Sequence, residues 1–272
     1  MLIKKWHKLP ENMQLEEVRP YWEKLHKKNF SLFIKRVFDF LVSTIMLIVL
    51  SPIFLILAIA IKIDSKGPVF YRQERITQYG KKFRIFKFRT MVQNADQIGE
   101  HVTSKEDARI TKVGKFIRKC RLDELSQLID VWRGTMTFVG TRPEVNEFVE
   151  KYTPEMMATL LLPAGVTSKA SIFYKDEDEI LAKCQGETSE VYVNVVLPEK
   201  MKYNLEAIKE FSLWGELKTM FQTVGAVLKK SDEETDSENI KEEASDDVQG
   251  EIVDDIVVDE IVEEITEEGD LD

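Results

Sequence analysis

Phe40 to Ile61 is a run of 22 residues without a charged side chain, and Ser51-Pro52 sits in its middle. About 20 apolar residues span the core of a bilayer, so an unbroken run of this length reads as a transmembrane helix. Proline removes a backbone donor and clashes with the preceding turn, so a helix kinks or ends there. Phe40–Leu50 is 11 residues, about 16 Å at 1.5 Å per residue, and Ile53–Ile61 is shorter. Neither half crosses alone. Nine Lys/Arg lie between Met1 and Asp39, and nine more between Lys62 and Arg89. Basic flanks stay on the cytoplasmic side, so a segment that enters, turns back at Ser51-Pro52 and leaves fits better than its alternative, a proline-kinked spanning helix. The run starts too late and lacks the small-residue pattern for a cleaved signal peptide.

The net charge of −10 joins two opposite parts. Residues 231–272 hold 20 Asp/Glu and one Lys, net −19, which leaves 28 acidic and 37 basic residues elsewhere, net +9. A basic body suits anionic headgroups and phosphorylated ligands. An acidic run of that density reads as a solvated, disordered tail. Val253, Val257, Ile261 and Ile265 recur in it every four residues, which leaves a partner-binding segment as the other reading. Cys120 and Cys184 lack metal or redox spacing, and His7, His26 and His101 are scattered, which excludes a histidine-based triad.

Four regions follow: a basic arm (1–32) that reads as a surface arm or a poorly ordered terminus, the membrane helix-break-helix (33–62), a cytosolic domain (63–230) and the acidic tail (231–272). Val69–Gln73 and Phe83–Phe88 alternate as strands about a turn at Tyr79-Gly80. From Thr111 a helix turns Val113, Phe116 and Ile117 inward and four basic residues outward. Asp123 opens a second helix bearing Leu125, Leu128, Ile129 and Trp132, ended by Gly134. Further helices are expected at Glu144–Lys151, Pro154–Leu161, Asp176–Lys183, Pro198–Lys209 and Leu213–Leu228, the last on the bilayer surface or in the core. The fold class is α/β and mostly helical: a re-entrant, Ser-Pro-broken membrane helix with a small domain carrying surface amphipathic helices.

Arg118-Lys119-Cys120-Arg121-Leu122-Asp123-Glu124 sets three bases before two carboxylates at a helix start. Acids in a first turn stabilise any helix. The functional reading is a carboxylate ringed by cations, which lower its pKa and keep it ionised to attack phosphorus. Adjacent helical residues point apart, so Asp123 and Glu124 have separate tasks. Lys87, Arg89 and Arg142 are placed to hold phosphates. No Walker loop or Gly-x-Gly-x-x-Gly is present.

Six stretches in order, Lys35-Arg36-Val37-Phe38-Asp39, Ser51-Pro52, Phe70-x-Arg72-Gln73-x-Arg75, Phe83-x-x-Phe86-Lys87-Phe88-Arg89-Thr90-Met91, Leu122-Asp123-Glu124-Leu125 and Val139-Gly140-x-Arg142-Pro143, resemble the bacterial sugar transferases, monotopic polyprenyl-phosphate phosphoglycosyl transferases. The resemblance covers roughly residues 33–228. It implies a re-entrant helix on the cytoplasmic face of the bacterial inner membrane. It implies transfer of a sugar 1-phosphate from a UDP-sugar to undecaprenyl phosphate with release of UMP. It further implies Asp123 as nucleophile and Mg2+ ligand, Glu124 as assisting base, and Lys87, Arg118 and Arg142 serving the phosphates. Ser126 stands where that family has Pro, Thr135 where it has Asp, and Thr141 for the first Pro of Gly-Pro-Arg-Pro. Thr77 replaces a turn glycine, Ala164 is inserted, and Glu216 replaces an Asp. Two other classes stand beside this reading. One is a decayed, membrane-tethered interaction protein, motivated by Thr135 and the tail. The other is a nucleic-acid-binding domain, disfavoured because aromatic-basic interleaving is sparse; no nucleic-acid partner is expected.

Overall fold

The computed structural model describes residues 2–95, 107–174 and 191–226. The expected helix at Asp176–Lys183 and the tail from Ser231 lie outside the described residues. The described residues are mostly helical with two small sheets.

Helix α1 spans Arg19–Lys27, α2 Asn29–Val49 and α3 Ser51–Asp64. The α2 and α3 axes bend by 61° at the break. Among the described residues no single helix is long and apolar enough to cross a membrane, whereas this bent pair passes that test together. Pro52 sits in the first turn of α3, where a missing amide is tolerated. The carbonyl it deprives in α2 is that of Ile48, four residues back. Ser51 Oγ donates to it at 2.8 Å, so the Ser-Pro pair both makes the break and satisfies its orphaned acceptor.

Lys35, Asp39 and Ser43 recur every four residues on α2 and are buried, so one polar stripe faces the domain. Asp39 accepts from Thr137 Oγ1 at 2.6 Å, and Lys35 Nζ donates to the Val139 carbonyl at 3.0 Å and pairs with Glu216. Arg36 donates to the carbonyls of Val131 and Trp132 at 2.8 and 2.9 Å. Beyond this stripe Ile45, Ile48, Val49, Leu55, Ile56, Ile59 and Ile63 are exposed, an apolar patch that protein contacts leave uncovered.

The basic arm is part of the core. Ile3, Leu9, Met13, Val18, Tyr21 and Leu25 are buried in one cluster with Ile76, Tyr79, Leu161, Leu205 and Phe211. The surface-arm and disordered-terminus readings both fail on this burial: Val18, Tyr21 and Leu25 share one helical face turned to the domain, and Ile3, Leu9 and Met13 reach it from irregular turns without a period.

Strands β1 (Phe70–Thr77) and β2 (Lys81–Phe88) form an antiparallel hairpin with Phe70 opposite Phe88 and Thr77 opposite Lys81. Its turn places Tyr79 and Gly80 in the left-handed region (φ 61° and 70°). Helix α4 (Lys112–Lys119) follows, and after a 3-10 turn at Leu122–Gln127 comes α5 (Leu128–Arg133). Strand β3 (Met136–Val139) pairs in parallel with β4 (Ala164–Thr167). A Cβ at Gly165 would lie 2.1 Å from the Gly140 carbonyl oxygen, so only glycine lets the loop after β3 cross this strand. Short helices α6 (Asn146–Val149) and α7 (Lys169–Phe173) flank β4. A π-helical turn at Tyr192–Val196 leads into α8 (Leu197–Lys209), and α9 spans 213–226.

Phe116, expected inside, is exposed, as are Trp132 of α5 and Phe221 and Val224 of α9. Helical period identified an apolar face in each case but not which neighbour, protein or surroundings, that face meets. Trp132 stacks on Phe40 of α2 at 6.2 Å between centroids.

Three of the departures from the family pattern meet at one point. Thr77 Oγ1 donates to the Thr135 carbonyl at 2.7 Å and accepts from the Ala164 amide at 3.1 Å. Thr135 Oγ1 in turn contacts buried Asp130 Oδ1 at 3.2 Å, a carboxyl that burial raises above its usual range. Thr135→Asp sets a second carboxylate against Asp130, and we expect a loss of about 2 kcal/mol, read as a lowered Tm at neutral pH that recovers as the pH falls.

Candidate active site

Thr111 caps α4, its Oγ1 accepting from Gly114 N at 3.0 Å. The helix ends at Cys120, and Arg121 takes a left-handed conformation (φ 51°) that turns the chain sharply into Leu122–Gln127. Asp123 and Glu124 therefore stand in the first turn of a 3-10 segment, not of the expected α-helix, and neither caps it. Ser126 Oγ donates to the Asp123 carbonyl at 3.2 Å.

Cations from two other elements converge on Glu124. Arg142, in the loop after β3, donates from both terminal nitrogens, Nη1 at 3.3 Å and Nη2 in a shorter contact. Lys87 of β2 brings Nζ within 3.9 Å. Burial favours the neutral form of Glu124, but Arg142, Lys87 and Arg121 outweigh it and hold its carboxyl at about 2. Burial lowers the Lys87 ammonium, with Glu124 opposing and Arg142 reinforcing the shift.

Asp123 differs from expectation. Burial first, and then the Glu124 charge, raise its carboxyl above the ordinary value, against the pull of Lys87 and Arg118. Of the three bases expected to hold Asp123 ionised, Arg118 donates through Nε to Thr90 Oγ1 at 3.1 Å, while Lys87 and Arg142, expected to hold phosphates, meet Glu124. Among the described residues Asp123 makes no ion pair, and the two adjacent carboxyls are driven in opposite directions.

Arg89 is not brought to this cluster. Its guanidinium reaches back to the end of α3, donating to the Ser65 carbonyl at 2.7 Å, to Ser65 Oγ at 2.9 Å and to the Ile61 carbonyl at 3.4 Å. It fastens the exit of the helix pair rather than offering its fork to a phosphate. Ser51 and Pro52 lie at the junction of α2 and α3, at the other end of α3 from Ser65.

A layer that the site residues did not include supports the Arg142 loop. Arg75 donates to the Pro143 carbonyl at 3.2 Å, and Glu144 accepts from Tyr192 at 2.7 Å and lies 3.6 Å from Lys200. Arg75 lies in the first-strand motif, Phe70-x-Arg72-Gln73-x-Arg75; Tyr192 and Lys200 carry no local signal.

Among the described residues no three His, Cys, Asp or Glu side chains cluster as a metal site. Magnesium in phosphoryl transfer needs only one or two carboxylates, with substrate phosphates and water completing the shell. Asp123, unpaired beside the committed Glu124, fits that requirement as a single ligand.

The profile of the bacterial sugar transferases matches residues 30–230. The chain belongs to that family. It is 34% identical over 202 residues to a UDP-N-acetylgalactosamine-undecaprenyl-phosphate N-acetylgalactosaminephosphotransferase of Aeromonas hydrophila (72% of this chain, 44% of the relative). It is 37% identical over 196 residues to a UDP-glucose:undecaprenyl-phosphate glucose-1-phosphate transferase of Klebsiella pneumoniae (70% and 39%). Over 123 residues it is 40% identical to a putative undecaprenyl-phosphate N-acetylgalactosaminyl 1-phosphate transferase of Bacillus subtilis (45% and 69%). This sugar transferase thus spans less than half the length of the first two relatives, and the matched region contains the Asp123–Glu124 turn, Lys87 and Arg142.

Proposed function

We propose that this sugar transferase moves a sugar 1-phosphate from a UDP-sugar to a polyprenyl phosphate such as undecaprenyl phosphate, at the start of a surface polysaccharide or glycoconjugate. The observation that carries the reading is the juxtaposition of a carboxylate, Asp123, that makes no ion pair among the described residues with a neighbour, Glu124, that gathers two cations. An oxygen of Asp123 bonds to the phosphorus bearing the sugar. The bond from that phosphorus to the bridging oxygen breaks, and UMP leaves with the electron pair. The lipid phosphate then attacks the same phosphorus, frees Asp123 and yields the lipid diphosphate sugar. Bringing a carboxylate to a diphosphate sets anions together, which Lys87 and Arg142 offset. Arg118 contributes positive charge on the Asp123 side. Asp123 is the residue that would hold a magnesium ion, which would supply further neutralisation of the phosphate charge. Phosphates that draw Arg142 and Lys87 off Glu124 raise its basicity, so it becomes a proton acceptor only once the donor is seated. Membranes carrying the chain are expected to release UMP from a UDP-sugar, and radiolabel from the sugar to be trapped on Asp123. Absence of UMP release with any UDP-sugar overturns the reading.

The exposed apolar face of α2–α3 fits a bilayer, and the shared core favours re-entry: the arm before the helix pair and the domain after it pack together, so they lie on one side of any membrane the pair enters. We place both on the cytoplasmic face of the bacterial inner membrane. With Cys120 and Cys184 changed to Ser, a cysteine at Lys5 is expected to escape a membrane-impermeant thiol reagent in intact cells and to react in inverted vesicles. Labelling from outside overturns the topology.

A further inference from the structure

A cavity of about 140 Å3 opens at the carboxyl ends of the parallel strands β3 and β4, the end at which open parallel sheets take ligands. Thr141 from the loop after β3 and Ser168 after β4 line it. Asn204 of α8, Phe211 and Thr219 of α9 close it from the other side. Its volume suits one six-membered ring, since a cavity of about 150 Å3 holds benzene.

The lining is unlike that of a dry packing defect. Asn204 is only 4% exposed, and its sole hydrogen bond is a long one from Nδ2 to Met201 Sδ at 3.9 Å. Its carbonyl oxygen has no partner among the described residues. An amide oxygen in a cavity wall without a protein partner is open to a hydrogen-bond donor that enters. Thr141 lies in the same wall, the Ser168 and Thr219 hydroxyls there already bond Ser171 and the Gly215 carbonyl but keep acceptor capacity, Phe211 adds an apolar face, and the Lys169–Glu210 pair stands at 3.2 Å. Thr141 is also the neighbour of Arg142, which grips Glu124.

We infer that this cavity takes the sugar ring of the donor and that Asn204 is a specificity-determining residue. The inference rests on the reaction proposed above. Donors and acceptors spread around a ring suit a polyol that bonds on several edges; a pyrimidine bonds along one edge only. In this arrangement Arg142 holds the diphosphate while Asn204 reads hydroxyls of the attached sugar.

The test is calorimetric binding of UDP-glucose, UDP-galactose, UDP-N-acetylgalactosamine and UDP to the full chain in detergent. The preferred UDP-sugar is expected to bind more tightly than UDP. Asn204→Leu is expected to weaken that donor at least tenfold while changing UDP less than twofold. Asn204→Asp, which keeps the shape and loses the donor group, should alter the ranking of the three sugars, and it decides the matter if the leucine variant does not fold. Equal weakening of UDP and UDP-sugar places uridine there, or gives Asn204 a structural role, and overturns the inference. So does a wild-type chain that binds UDP as tightly as every UDP-sugar, even when it releases UMP. Asn204-dependent sugar binding without UMP release leaves the cavity assigned and removes the reaction.

Discussion

Asp123→Asn is expected to abolish UMP release, by about 10³-fold or more, and to raise the melting temperature. The two outcomes share one cause. The folded protein holds this carboxyl above its ordinary value through burial and the Glu124 charge, so ionisation of Asp123 disfavours the fold. The sign follows by linkage: as pH rises from below the unfolded value through the higher folded one, stability is lost, and at neutral pH the full penalty is present. A neutral amide of the same shape removes the penalty together with the nucleophile. An aspartate serving only to favour a helix start gives another result, an unchanged or lower Tm and retained activity. The acid limb of kcat/KM for the wild-type chain is expected above the usual aspartate range, because the attacking group must be ionised. Thermal melts and UMP assays on the two proteins from pH 4 to 8 separate the readings; a Tm loss with retained turnover sinks the nucleophile assignment.

Arg142→Met is expected to lower UMP release about 10²-fold and to cost stability in a pH-dependent way. Glu124 is held at about 2, below the unfolded glutamate value of about 4.3. A depressed carboxyl contributes stability that is present above the unfolded value and is lost as pH falls toward the folded one. Wild-type and Arg142→Met melting temperatures should therefore differ most near neutrality and converge between about pH 4 and 2. Arg142→Lys retains the charge but not the two-nitrogen grip on Glu124, and is expected to recover only part of the rate. A constant difference across this range rules out Arg142 as the group that sets Glu124.

Much of this arrangement is legible along the chain. The break at Ser51-Pro52, the β1–β2 hairpin and α8 follow from proline chemistry and local period, and the Asp123–Glu124 pair stands out because bases crowd it. The parallel pair β3–β4 escapes notice. Met136–Val139 is buried on both faces and only four residues long, so it shows no alternation. The opposed shifts of Asp123 and Glu124 escape for a different reason: they depend on which carboxylate Lys87 and Arg142 reach, and both arrive from distant segments. Arg89 looked equivalent to Lys87 two residues away, yet strand alternation cannot reveal that one turns to Glu124 and the other to Ser65.

Thr77, Thr135 and Ala164 carry a consequence for how such a chain changes over generations. The Thr77 hydroxyl spans the other two residues, so each substitution is judged by its neighbours rather than by its own chemistry. A carboxylate at 135 has one worth beside a glycine at 77 and another beside this threonine and Asp130. Movement between this arrangement and the commoner one must then pass through partners altered in a tolerated order, and a single borrowed residue is a poor guide to what its relatives endure.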